Sequence, residues 1–245
     1  MSAIHQGGMG DCPFVSTIGA LVHRDPTFIK KMTTENGTGS FTVSFGGGHS
    51  IRLNHITDAD IGMWTSAGTN GLWLTVLEKA YRRALLHAKI PHKSQEGTKA
   101  ESIYDQFISG DTVQIFTGHE IFRLELKDIR HGTEKYVSLR QELKTTFANH
   151  LIIKASTSKP PRTKVPDVPG THAYAVLAYD QKNDMLEVFN PWGNTFAPNG
   201  EEGLENGYAT NGGIFHLPLR DAIRIFEAFN FETQNPVQHQ AVGRK

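Results

Sequence analysis

The sequence predicts an α+β protein built as two lobes, a helical one first and a strand-rich one after it. Three observations carry this reading. Over the first third of the chain, apolar residues recur at three- and four-residue intervals, as amphipathic helices require. Beyond about residue 150 they gather instead in short runs, 151–155, 173–179 and 185–189, separated by turn residues. A chain of 245 residues can bury two cores that share a cleft, but is short for two independent domains. The expected division is a helical lobe over 1–140, a β-rich lobe over 141–232 and a polar tail over 233–245.

Taken in order, Phe14, Val15, Ile18, Leu21 and Val22 predict a helix beginning at Cys12, with Pro13 suited to its first turn. Residues 39–54 alternate as a hairpin, with Phe41, Val43 and Phe45 before three glycines and Ile51 and Leu53 after them. The spacing of Trp73, Val76, Leu77, Ala80, Tyr81 and Ala84 predicts a helix over 72–87. Its opposite face carries Thr75, Glu78, Lys79 and Arg82, read as facing away from the core. Shorter helices are expected over 99–107 and 139–147, a buried strand over 151–155, and a flexible proline-rich loop over 156–170. Strands at 173–179, 185–189 and 214–217 then lead to a helix over 219–229.

Composition removes several function classes. Lysine plus arginine number 25, as do aspartate plus glutamate, so no basic excess is available for a nucleic acid or an anionic membrane. No stretch approaches the roughly 18–20 apolar residues that span a bilayer. The first residues lack a basic segment followed by an apolar core, so no secretory signal is expected. One cysteine excludes intramolecular disulfides and fits a reducing, cytoplasmic setting. That thiol is either inert packing or a reactive centre.

The flanks of Cys12 favour reactivity. Glycines at 7, 8 and 10 let the backbone approach a ligand closely. A cysteine at a helix start meets free N–H groups and the positive end of the helix dipole, which favour thiolate over thiol. The same N–H groups can hold a developing oxyanion, and Gln6 adds a side-chain amide donor. A cysteine nucleophile also needs a base and a group that orients it. His172 opens the strand-like run 173–179, and Asn190-Pro-Trp-Gly193 closes the next strand. An asparagine there can fix the imidazole tautomer without adding charge, and Trp192 can shield that bond from water.

The stretch Gln6-Gly-Gly-Met-Gly-Asp-Cys12-Pro-Phe resembles the nucleophile segment of calpain-type cysteine proteases, members of the papain-like superfamily. Gly170-Thr-His172-Ala-Tyr-Ala-Val resembles the family's histidine strand, and Asn190-Pro-Trp-Gly its asparagine motif. The segment 72–81 is similar to the family's central helix, 39–53 to its early hairpin and 213–221 to its closing strand and helix, so the likeness covers residues 4–232. It implies a papain-like fold with the cleft between the lobes, and endopeptidase activity on polypeptide substrates through a thioester acyl-enzyme. Cys12 would be the nucleophile, His172 the general base and then acid, and Asn190 the orienting residue. Gln6 and the Cys12 N–H would form the oxyanion hole, with Trp192 covering the Asn190–His172 bond. Two other outcomes of the same resemblance are a catalytically silent peptide-binding domain and an acyl transferase using the same triad.

Four departures accompany it. Pro13 stands where the family has an aromatic residue, and Thr171 replaces the glycine before the histidine, where its branched side chain narrows the substrate path. Of the paired cleft glycines only Gly110 matches, after Ser109. The acidic calcium loop ahead of the glutamine reads Ala3-Ile4-His5, and Asp58-Ala-Asp60-Ile-Gly62 lacks the later ligands of an EF-hand, so neither calcium nor another cofactor is expected. The expected partner is a polypeptide substrate, without nucleic acid or membrane, and the abrupt start leaves room for further domains of a longer chain.

Overall fold

The computed structural model describes residues 4–7, 10–63, 65–87 and 111–237. The expected helix over 99–107 and the cleft residue Gly110 lie outside them. Helix α1 (Cys12–Arg24) starts where the sequence places it, with Pro13 in the first turn, where its missing N–H has no intrahelical partner to lose. It stops at Asp25, whose side chain accepts the Thr27 N–H and so begins α2 (Pro26–Met32). All residues from Pro13 to Leu21 are buried, because Ser16, Thr17, Gly19 and Ala20 are small enough to admit neighbours on the less apolar side. A helix buried all round lies in the middle of a molecule.

Strands β1 (Thr33–Glu35), β2 (Phe41–Ser44) and β3 (Ser50–Leu53) form a small antiparallel sheet in that order, with Phe41 opposite Leu53 and Val43 opposite Ile51. After α3 (Asp58–Met63) comes α4 (Trp73–His87), whose Leu74, Val76, Leu77, Ala80 and Tyr81 join Phe14, Val15, Ile18 and Leu21 in one core. The opposite face of α4 is not free, as the periodicity suggests. Thr75 and Glu78 are fully covered, because the 65–67 segment folds over them. The Thr75 hydroxyl donates to the Thr65 carbonyl, and Glu78 accepts both the Thr65 N–H and its hydroxyl.

Helix α5 (Asp111–Thr117) leads into β4 (His119–Glu125), and α6 (Glu134–Ala148) precedes β5 (Ile153–Ser156). Strands β6 (Ala173–Asp180), β7 (Met185–Phe189), β8 (Thr210–Asn211) and β9 (Ile214–Pro218) follow, then α7 (Leu219–Ile225) and β10 (Ala228–Pro236). These strands make a seven-stranded antiparallel sheet in the order β4-β10-β5-β6-β7-β9-β8. Strand alternation divides its two faces. Ile153, Ala155, Tyr174, Val176, Phe229 and Phe231 enter a second core with α6 and α7, whereas Ile152, Ala175 and Leu177 join the α1 core.

The helix expected over 219–229 ends at Ile225, and the chain turns into β10, which reaches Pro236 within the segment read as a polar tail. The period-two signal of Phe229 and Phe231 marks this strand. The proline-rich loop 156–170 is anchored rather than loose. Arg162 donates to the carbonyls of Ile223 and Phe226 at 3.0 and 2.7 Å, the Thr157 hydroxyl donates to the Pro169 carbonyl, and Val165 is buried. Among the described residues no helix is long and apolar enough to cross a membrane.

Candidate active site

Three separate segments meet around Cys12. The residue itself opens α1, with the Asp11 carbonyl accepting the Val15 N–H at 3.1 Å to begin the helix. Strand β6 packs against α1, and the Ala173 N–H at its start is close enough to the sulfur to draw the thiol down. The start of β6 is pinned to the loop ahead of it, where the His172 N–H donates to the Thr157 hydroxyl and the Thr157 N–H to the His172 carbonyl. The geometry that brings Ala173 to the sulfur therefore places His172 beside the same helix start.

The His172 ring is fixed from three sides. Its Nε2 lies 2.8 Å from Asn190 Oδ1, which also accepts the Trp192 N–H at 3.1 Å. An amide oxygen can only accept, so Nε2 carries the proton and Nδ1 keeps its lone pair. Trp192 lies over the ring at a centroid distance of 4.7 Å, and Tyr174 stands edge-on at 4.8 Å. The indole is half exposed, so one of its sides covers the histidine while the other faces solvent. Asn190 is itself held, its N–H donating to the Gly213 carbonyl and its side-chain amide to Asn194.

Two glycines make this loop possible. Gly213 has φ +81°, and a Cβ there would stand 2.4 Å from the Asn190 carbonyl oxygen. Gly193 has φ +64°, and a Cβ there would stand 2.2 Å from His5 Nδ1. His5 in turn exchanges both backbone bonds with Ser66, and the next residue, Gln6, donates its N–H to the Pro191 carbonyl at 3.0 Å. The Gln6 segment is thus tied to the asparagine loop. Gln6 Oε1 is buried without a hydrogen-bond partner among the described residues.

Electrostatics keep the cysteine and histidine neutral at rest. Burial pushes the Cys12 thiol up, opposed by the Ala173 N–H and the positive charge of Lys154. Burial likewise brings the His172 imidazole down to about 4, against the pull of Asn190. Each shift is the cost of making one charge alone. Moving the proton from sulfur to ring makes both charges together, and in a buried space they attract strongly.

The remaining sequence expectations fall around this centre. Pro13 is buried in the first turn, and a cavity of about 20 Å³ beside it is lined by Gly10, Asp11, Phe14, Glu78, Tyr81 and Arg82. Thr171 is exposed and adopts φ +55°, a left-handed conformation that glycine takes without strain. Sequence patterning missed Asp11, Glu78 and Lys154. Asp11 is buried beside Glu78 with neither carboxyl oxygen hydrogen-bonded in ordinary geometry among the described residues, and burial together with Glu78 brings its carboxyl up to about 9. The signal for Lys154 is a lone charge inside the apolar run 151–155.

Residues 1–201 match the family model described as calpain family cysteine protease. The chain belongs to the calpain family of cysteine proteases. The matched span contains Gln6, Cys12, His172, Asn190 and Trp192, and ends before β8, β9, α7 and β10. Against curated proteins the chain finds no match. In this calpain-family chain, the nucleophile segment, histidine strand and asparagine motif singled out in the sequence meet at one place, while Gly110 falls outside the described residues.

Proposed function

We propose that this calpain-family chain is an endopeptidase in which Cys12, His172 and Asn190 act as a triad within a papain-like, two-lobed arrangement. The observation that carries the reading is the 2.8 Å bond from His172 Nε2 to Asn190, made beside the Cys12 end of α1. His172 Nδ1 takes the thiol proton as the sulfur attacks the peptide carbonyl. The Cys12 N–H, free at the first turn, and the Gln6 side-chain amide receive the oxyanion. The imidazolium then protonates the leaving amine, and water hydrolyses the thioester with His172 again as base. The role of Asn190 is to hold the ring in the reactive tautomer, and that of Trp192 to keep water from the bond.

The substrate is a polypeptide in extended conformation, and the proposed steps use no cofactor. The nucleophile must stay reduced to react, which favours a reducing compartment such as the cytoplasm. The test is turnover of denatured casein by the full chain and by Cys12→Ala. The variant is expected to keep the circular dichroism spectrum and lose at least about 10⁴-fold in rate. Casein bound but uncut by the unmodified chain would favour a silent peptide-binding domain. Amide products formed with added amines would favour acyl transfer.

A further inference from the structure

The sheet face turned toward α1 carries buried polar residues among its apolar ones. On β5, Lys154 is 2 % exposed, and in register across from it on β10 stands Asn230, also buried. Lys154 Nζ donates to the Pro13 carbonyl at 3.1 Å and to the Thr112 hydroxyl at 2.8 Å. Thr17 and Thr112 share a further bond of 2.8 Å, and the Ser16 and Thr17 hydroxyls donate to the same Pro13 carbonyl. This network centres on the residue that follows Cys12. At the other end of α1, Arg24 pairs with the buried Glu232 of β10 at 2.9 Å, and Glu232 also meets His119.

A buried ammonium carries a large desolvation penalty, and an apolar side chain of similar length would avoid it. Packing alone therefore does not account for Lys154. We propose that Lys154 is a positioning residue for the Cys12 reaction, clamping the first turn of α1 to β5 and holding its ammonium group behind the sulfur. The inference rests on the reading of Cys12 as the nucleophile. As the S–H proton passes to His172 Nδ1, the sulfur keeps the electron pair, and the field of the Lys154 ammonium favours the new thiolate. Among the groups facing the sulfur, Lys154 draws the thiol down, Asp11 pushes it up, and His172 on the β6 side is neutral at rest. Glu78 and Arg82 of α4 act on Asp11, and Glu232 is engaged by Arg24.

The test is the pH dependence of iodoacetamide alkylation of Cys12 in the full chain, with casein turnover measured in parallel. In Lys154→Met the inflection should rise by about one pH unit, with a roughly tenfold slower rate below it. Lys154→Arg should restore the inflection, and Arg24→Met, at the far clamp, should leave it in place. A purely structural lysine would move the melting temperature and not the inflection. A folded Lys154→Met with an unshifted inflection overturns the proposal. If that variant does not fold, the unsubstituted chain decides. A buried charge escapes screening, so the inflection should hold between about 0.05 and about 1 M salt, and a salt-dependent inflection overturns the proposal. A shifted inflection in a chain that does not cut casein upholds the lysine and removes the protease reading; cleavage with no shift does the reverse.

Discussion

Toward β6, the His172 and Asn190 side chains beside Cys12 are hydrogen-bonded to each other and covered by aromatic rings; toward α4 stand two carboxyls in one buried space. His172 and Asn190 share a 2.8 Å bond and sit under Trp192. Asp11 and Glu78 meet beside a cavity large enough for one water. Glu78 is satisfied by Thr65 and Arg82, so Asp11 must keep its proton to share the site. In the proposed mechanism one side exchanges a proton during reaction, while the other retains one. What separates them is the supply of hydrogen bonds, since both are equally sheltered from water.

The largest effect expected from breaking this contrast is on the histidine side. Asn190→Ala leaves His172 free to rotate and change tautomer, and should lower kcat about 100-fold with KM little changed. Steady-state kinetics on a peptide substrate checks this, and an equal loss in KM would mean that Asn190 shapes the cleft instead.

On the carboxyl side the effect is on stability and its pH dependence. Asp11 binds its proton more tightly when folded, so its contribution is complete below about 4 and is lost as pH rises toward about 9. His172 has the opposite sign. Its folded value of about 4 lies below 6.5, so its contribution is present above 6.5 and is lost as pH falls to about 4. Asp11→Asn cannot ionise and should stabilise the protein by about 4 kcal/mol more at pH 8 than at pH 5, with turnover within a few-fold. Denaturant titrations at the two pH values measure it. An equal change at both would mean that Asp11 is ionised at rest.

The smallest effect is at Thr171, the residue that joins the anchored loop to His172. Thr171→Gly relieves a left-handed β-branched residue and should raise stability by up to about 1 kcal/mol. Calorimetry checks this, and a loss of stability would mean that the threonine side chain holds the loop.

The same contrast explains what the sequence could reveal. Helices α1 and α4, the β2–β3 hairpin and strands β5 to β7 are written in local periodicity, and Cys12, His172 and Asn190 each sit in a short motif on which the family resemblance rests. Glu78 and Lys154 carry no such mark. Periodicity identifies the apolar face of a helix but not whether a distant segment, here 65–67, covers the other one. A lysine in a buried strand becomes intelligible only when α1 brings the Pro13 carbonyl to it. Strand β10 was hidden because its Phe229 and Phe231 also continue the apolar pattern of α7.

The central claim is that His172 activates Cys12, and the most direct measurement is the second-order rate of iodoacetamide alkylation at pH 7 in the full chain and in His172→Ala. The account predicts that Cys12 reacts well above the rate of a free cysteine and slows at least about tenfold when the imidazole is removed. Equal rates in the two proteins, both no faster than a free thiol, would contradict it.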